Sequence, residues 1–230
     1  MLPEADQILF SEEGITHDLM PRGPSAGGFD QIEQSANILE MLGADDLHVV
    51  LAIRRQDHFR ASTYAHYVHR QALSLSAEDW FRRVVDPTRL SWASVIDVFE
   101  RRFGKANLTI IPLDRAKNDF AGYIAWVVAA AGIDSSGWTM RPDASNPSLS
   151  EKGIDLARAI NERAGTEHKR RRQVINTIIR EFPASEFGKF SLDDTAIPAD
   201  LGRLYDAENR ALGARWFPEH ADALGFDSSS

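Results

Sequence analysis

The sequence contains no cysteine among its 230 residues, which excludes disulfides and thiolate metal sites and is typical of a reducing compartment. Its longest apolar run, Tyr123 to Ile133, is too short to span a bilayer. The N-terminal segment MLPEADQILF lacks the basic and apolar regions of a signal peptide, so we expect a cytoplasmic protein. With a net charge of −8, the chain has no general excess of positive charge. Neither nucleic acid nor a membrane is therefore an expected partner.

A strand that runs directly into a helix is predicted within the stretch Leu47 to Arg70. The apolar, β-branched run His48 to Ile53 predicts a buried strand, and it ends at Arg54-Arg55. The carboxyl ends of parallel strands and the first N–H groups of helices attract phosphates, and arginine adds a planar fork suited to phosphate oxygens. The stretch therefore indicates either an anion site or a basic surface turn with a helix packed behind it.

Strands and helices alternate up to residue 133, which predicts an α/β fold with a parallel sheet. The predicted elements of this part are a strand at Gln7–Phe10, a helix at Asp30–Leu42, the strand at His48–Ile53 with its helix, a short helix capped by Ser76, a helix at Ser91–Phe103, a strand at Asn107–Leu113 and a helix at Asp119–Gly132. Proline, glycine and serine in the segment 21–28 predict a loop.

The chain after residue 133 is predicted to be helical. A capping box of Ser148 and Glu151 predicts the first of three helices, which are expected at Lys152–Arg163, Glu167–Phe182 and Pro198–Trp216. We expect a single domain over 1–230, with an α/β core at 1–133, a helical C-terminal part at 146–220 and a disordered tail at 226–230.

The spacing of Arg54, Ser62 and Tyr64, R-x7-S-x-Y, resembles the segment by which sulfotransferases bind the 3′-phosphate of 3′-phosphoadenosine-5′-phosphosulfate (PAPS). The sequence RRQD at the turn is similar to the sequences of a bacterial branch of that family. Four further stretches resemble bacterial sulfotransferase-like proteins in the same order: FSEEG (10–14), RRFGKANLTIIPLDRA (101–116), NPSLSEKGIDLARAIN (146–161) and LYDAENRALGARWFP (204–218).

This resemblance implies a P-loop-like, three-layer fold: a parallel sheet with helices on both faces, followed by the helical C-terminal part. It implies Arg54 and Ser62 as ligands of the nucleotide, PAPS as co-substrate without a metal, and sulfuryl transfer to a hydroxyl of a carbohydrate or other small-molecule acceptor. Glu12 then matches the strand-end glutamate that acts as general base in carbohydrate sulfotransferases. The alternative for Glu12 and its neighbour Glu13 is that they solvate a strand end.

One family feature is missing from the sequence. Sulfotransferases of this type begin with a strand and a loop such as K-[ST]-G-T-T, whose lysine and N–H groups bind the 5′-phosphosulfate. No such segment is present, so we expect the first strand and phosphate loop to be missing and the 230-residue chain to be inactive towards PAPS. A sheet edge left open in this way favours a homo-oligomer. The alternative function is a non-catalytic nucleotide- or partner-binding module on the same scaffold.

Two other groups of residues suggest a metal site and a basic surface. His58, His66 and His69 lie close enough in sequence to suggest a metal site, but no further ligand has suitable local spacing, and we expect core or surface histidines instead. The run Lys169 to Arg172 is typical of a solvated helix face, or of a surface that meets an anionic glycan.

Overall fold

A computed structural model describes residues 28–42, 47–84, 90–117, 119–139, 149–163, 168–192, 199–221 and 223–224. The predicted strand Gln7–Phe10, the predicted base Glu12, the glycine-containing loop before residue 28 and the C-terminal tail lie outside these residues. The described part is α/β and mostly helical. Its helices include none that is long and apolar enough to cross a membrane.

The two central strands, β1 (Val49–Ile53) and β2 (Leu108–Pro112), are parallel, as their sequences predict. Their register pairs the first residue of each strand, Val49 with Leu108, and the last residue of each strand, Ile53 with Pro112. Consecutive residues of β2 are buried, which is typical of a strand covered on both faces. Within the described residues the sheet has these two strands, so a larger P-loop-like sheet stays a prediction.

Helices surround the strands in the first part of the chain, close to their predicted positions. They are α1 (Gly28–Met41), α2 (Gln56–Arg70), α3 (Ala77–Val84), α4 (Trp92–Phe103) and α5 (Phe120–Ala130), with short 3-10 segments at Lys105–Asn107 and Leu113–Lys117. Local signals set their ends: Ser91 caps α4 by accepting from the N–H of Ser94 at 3.1 Å. Gly104 ends α4 with a φ of 80°, a conformation that side chains with a Cβ disfavour.

The C-terminal part is helical, as predicted, and consists of α6 (Glu151–Asn161), α7 (His168–Glu181), the single turn α8 (Ala184–Phe187), α9 (Ala199–Trp216) and a 3-10 segment at Pro218–His220. The predicted capping residue of α6 was wrong. Ser150 caps the helix, because its Oγ accepts from the N–H of Gly153 at 3.0 Å and donates to the carbonyl of Phe182 at 2.8 Å. This serine is fully buried, and an antiparallel bridge joins its neighbour Leu149 to Pro183.

Two apolar clusters form the core, and α2 contributes to both. The first contains buried residues of α2, α3, α6 and α7, among them Tyr64, Tyr67, Trp80 and Ile175. The second joins the strands to α1, α4 and α9 through residues that include Ile53, Ile96, Ile110 and Leu212. Phe59, near the start of α2, packs against both clusters. The C-terminal helices therefore complete the core around the strand-to-helix turn at Arg54.

Candidate functional site

The carboxylate of Asp114 joins the two strand ends. It lies in the 3-10 segment after β2, and its Oδ2 accepts a hydrogen bond from the backbone N–H of Arg55 at 2.7 Å. Its Oδ1 lies 2.7 Å from Nδ1 of His58, on the first turn of α2. These contacts form because the parallel register pairs Ile53 with Pro112, which brings the residues after both strands to one edge. The Asp114 side chain is only 8% exposed, so this connection is largely shielded from water.

Arg54 follows β1, where the sequence predicts an anion ligand. Its carbonyl accepts a hydrogen bond of 2.5 Å from Nε1 of the buried Trp92, which fixes the backbone. Its Nε lies 3.6 Å from Oδ1 of Asp114, an ion-pair distance too long for a hydrogen bond, and its side chain is 19% exposed. Nε is buried and hydrogen-bonds to no group in the described chain. A buried N–H group without a partner favours a ligand that accepts hydrogen bonds.

Arg55, the second arginine of the turn, pairs with Asp57 in the first turn of α2. Nε and Nη2 of Arg55 contact the two carboxylate oxygens of Asp57 at 2.8 and 2.5 Å, a bidentate ion pair. Burial acts to raise the pKa of Asp57, but the Arg55 hydrogen bond and the nearby His58 and Arg55 charges outweigh it and lower the pKa below its usual value. Asp57 is therefore ionised at neutral pH and engages Arg55, whereas Arg54 is directed at the strand ends.

The other two residues of the R-x7-S-x-Y pattern point to different environments. Ser62 is exposed on α2, one turn after His58, and residues four apart lie on the same face of a helix. Tyr64 is buried; its hydroxyl donates to the carbonyl of Leu75 at 2.8 Å, and burial raises its pKa to about 12. Tyr64 thus belongs to the core, whereas Ser62 is accessible to a ligand. A shared role of Arg54 and Ser62 in one pocket stays a prediction.

A buried polar network holds the start of α2 in place. Gln56 donates to Oε1 of Glu208 at 3.2 Å, and its own Oε1 accepts from Nδ2 of Asn209 at 2.8 Å. Asn209 also donates to the carbonyl of Leu224 at 3.0 Å. Gln56 and Asn209 are fully buried, so α9 fixes the first turn of α2 directly beside Arg54 and Arg55.

The basic run of α7 has two environments. Lys169, Arg170 and Arg172 are exposed, as expected of a solvated face. Arg171 is only 5% exposed and points inward, where it donates to the carbonyls of His69 and Arg70 at 3.1 Å each. Burial lowers its pKa from the usual arginine value. It therefore stabilises the C-terminal end of α2, while the exposed cations remain available to an anionic partner.

Sequence reasoning did not identify Asp114 or His58 as members of this site. A signal for Asp114 was present, since it follows a predicted strand, where the carboxyl edge of a parallel sheet collects functional side chains. His58 was considered only as a metal ligand. In the described part of the chain, no group of three or more histidine, aspartate or glutamate side chains is arranged to hold a metal ion.

In comparisons with known proteins, no family model, no curated protein and no solved structure matches this chain. The resemblance to sulfotransferases therefore rests on the residues quoted above.

Proposed function

We propose that the chain is a sulfotransferase-like protein that binds the 3′-phosphate of PAPS, or of its product adenosine 3′,5′-bisphosphate, through Arg54. The observation that carries this proposal is the position of Arg54. It lies where β1 ends and α2 begins, and its buried Nε donates no hydrogen bond to any described group. Ser62, exposed on α2, is the proposed second ligand.

The guanidinium of Arg54 suits a phosphate, because its planar fork matches phosphate oxygens. The nearby carboxylates already have partners, since Asp57 contacts Arg55 and Asp114 accepts from the backbone of Arg55. The side chain of Arg55, the N-cap residue of α2, makes no capping hydrogen bond to the helix. The dipole of α2 acts in the same direction as the charge of Arg54, whereas the carboxylates of Asp57 and Asp114 oppose it.

The proposed reaction is transfer of the sulfuryl group from PAPS to a hydroxyl of a carbohydrate or other small acceptor. The acceptor hydroxyl must lose its proton as the new S–O bond forms, and Glu12 is the proposed base. The corresponding fold is a P-loop-like, three-layer sheet in which β1 and β2 are adjacent parallel strands. The exposed cations Lys169, Arg170 and Arg172 would suit an anionic glycan acceptor.

A binding module without catalysis is the second candidate. It is favoured by one feature of the sequence, which contains no K-[ST]-G-T-T segment to hold the 5′-phosphosulfate. The two candidates share the Arg54 site and differ in turnover. A transferase forms sulfated product from PAPS and an acceptor, and Glu12→Gln then lowers kcat by about 10²–10⁴-fold. A module binds the nucleotide and forms no product.

Calorimetry with adenosine 3′,5′-bisphosphate tests the shared proposal. Arg54→Ala is expected to weaken binding by about 1.5–3 kcal/mol, the usual range for hydrogen bonds to charged groups, and Ser62→Ala by about 1 kcal/mol. Arg180→Ala, which removes an exposed arginine paired with Glu181 on α7, serves as the control and leaves the affinity unchanged. An Arg54→Ala variant that binds as tightly as the parent chain contradicts the assignment.

A further inference from the structure

Arg60 is a buried cation of α2 that takes no part in the proposed nucleotide site. It is 1% exposed and lies between α3 and α9: its guanidinium carbon is 4.1 Å from the ring centre of Phe81, and a hydrogen bond joins it to Tyr205. Its Nε and Nη1 are buried and donate to no residue that the structure describes. Because nearly all buried N–H groups in proteins have a partner, these two indicate an acceptor that the described residues do not supply.

The charge of Arg60 also lacks a carboxylate of its own among the described residues. Arginine stays protonated in proteins, and burial lowers the pKa of Arg60 because its charge is removed from water. Tyr205 and Asp57 oppose this effect, but the hydroxyl of Tyr205 is uncharged at neutral pH. Both carboxylate oxygens of Asp57 already contact Arg55, at 2.8 and 2.5 Å. A buried charge without a paired counter-charge is costly, so an anion that pairs with Arg60 would stabilise the folded chain.

Arg171 shows how a buried guanidinium is satisfied elsewhere in this chain. It is 5% exposed, and it donates to the carbonyls of His69 and Arg70 at 3.1 Å and to Oδ1 of Asn161 at 3.3 Å. The C-terminal end of α2 thus supplies acceptors and the negative end of a helix dipole. Arg60 lies in the interior of the same helix, where the carbonyls are engaged in the helix's own hydrogen bonds.

We propose that a small monovalent anion, chloride, binds in the plane of the Arg60 guanidinium at Nε and Nη1. The ring of Phe81 covers one face of the guanidinium, so the N–H groups point sideways, where an anion can accept from them. One negative charge neutralises the guanidinium, whereas a dianion would leave an uncompensated charge in a buried site. Chloride is also close in size to the water molecules that proteins bury, and unlike water it balances the charge. No covalent bond changes on binding.

The first test compares unfolding of the full chain in sodium chloride and in sodium gluconate, at equal concentration and pH. Gluconate is too large for a buried site of this kind. At about 200 mM, four times a dissociation constant on the order of 50 mM, chloride should lower the equilibrium constant of unfolding about fivefold relative to gluconate. Arg60→Met should remove this difference. Arg171→Met, which removes the matched buried arginine, should be less stable in both salts and keep the difference. Arg180→Ala, at an exposed arginine, should keep it with the stability of the parent chain.

The second test locates the ion. Crystals grown in sodium bromide should show an anomalous peak beside Nε and Nη1 of Arg60, because bromide replaces chloride at halide sites. Equal unfolding in chloride and gluconate overturns the inference, and so does the absence of a peak beside Arg60. A chloride effect that persists in Arg60→Met also overturns it, because the ion then binds elsewhere. These outcomes are independent of nucleotide binding at Arg54, which is measured separately.

Discussion

Glu208 caps the N-terminus of a helix that lies 116 residues earlier in the chain: its Oε1 accepts the backbone N–H of Trp92, the first residue of α4, at 2.7 Å. Its Oε2 accepts from the hydroxyl of Ser91 at 2.7 Å. A negative charge at this end of a helix is favoured by the helix dipole. The contact ties α9 to α4 and, through Gln56, to the start of α2.

Replacing this carboxylate should therefore destabilise the packing of α9 against α4 and the start of α2. Glu208→Ala is expected to lower the free energy of unfolding by about 2–3 kcal/mol, because it leaves donors at the start of α4 without their charged acceptor. Urea unfolding followed by circular dichroism measures the change. Glu219→Ala, at an exposed glutamate, is the control and should stay within about 0.5 kcal/mol of the parent chain. An equally small effect of Glu208→Ala would show that the cap contributes little.

Arg171 and Arg172 provide a matched pair on α7. Arg171→Met removes the donors to the last carbonyls of α2 and is expected to cost about 2–4 kcal/mol of stability. Arg172→Met changes an exposed neighbour and is expected to cost less than about 0.5 kcal/mol. Chemical denaturation of both variants checks this difference. Equal effects would mean that the buried guanidinium does not stabilise the end of α2.

A smaller effect on stability is expected at Arg60, another buried arginine. It is 1% exposed, its guanidinium lies 4.1 Å from the ring centre of Phe81, and burial lowers its pKa although a hydrogen bond with Tyr205 opposes this. Nε and Nη1 have no hydrogen-bond partner in the described chain. The cost of burying a guanidinium with two unpaired nitrogens offsets its contacts with Phe81 and Tyr205, so Arg60→Met should change the free energy of unfolding by less than about 1 kcal/mol. Destabilisation in the same denaturation experiment would indicate a stronger partner for Arg60.

The stability of the protein is expected to fall as the solution becomes acidic, in part because of His69. Burial lowers the pKa of His69 below the usual 6.5, and the positive charges of Arg70, His66 and Arg171 lower this pKa further. The unfolded chain then takes up a proton near pH 6.5 while the folded chain stays neutral, so the stability is complete above that pH and declines below it until the folded pKa is passed.

The measurement for His69 is the melting temperature at about pH 7.5 and about pH 5.5, on either side of the ordinary histidine transition. His69→Gln should lose less stability between these values than the parent chain, because its side chain cannot take up the proton. His48→Gln, at an exposed histidine before β1, is the control and should follow the parent chain. An unchanged pH response in His69→Gln would contradict the role given to burial.

Local sequence signals predicted the elements well, but not the contacts between distant ones. The β-branched run before Arg54 predicted β1, and the helix predicted at Ser91–Phe103 agrees with α4 to within one residue, because the signals for both act within a few residues. The choice of Ser150 over Ser148 as a cap was missed because it depends on packing against Pro183, more than 30 residues away. Arg171 likewise points inward, unlike its basic neighbours on α7, because it donates to carbonyls at the end of α2.

At the candidate site, too, contacts between distant residues were not predicted from the sequence. Arg54 was predicted from the strand that precedes it, whereas its neighbour Asp114 follows another strand and is brought close by the parallel register of β1 and β2. The contact between His58 and that carboxylate depends on the same register. The joint role of Arg54 and Ser62, the larger sheet and the role of Glu12 stay predictions.

A thermodynamic cycle tests directly whether Arg54 contacts the 3′-phosphate. Calorimetry would measure binding of adenosine 3′,5′-bisphosphate and of adenosine 5′-monophosphate, which lacks that phosphate, to the parent chain and to Arg54→Met. We expect the parent chain to prefer the bisphosphate and Arg54→Met to lose the preference, with a coupling energy of about 1.5–3 kcal/mol. A coupling energy within about 0.5 kcal/mol of zero would show that Arg54 does not contact the 3′-phosphate.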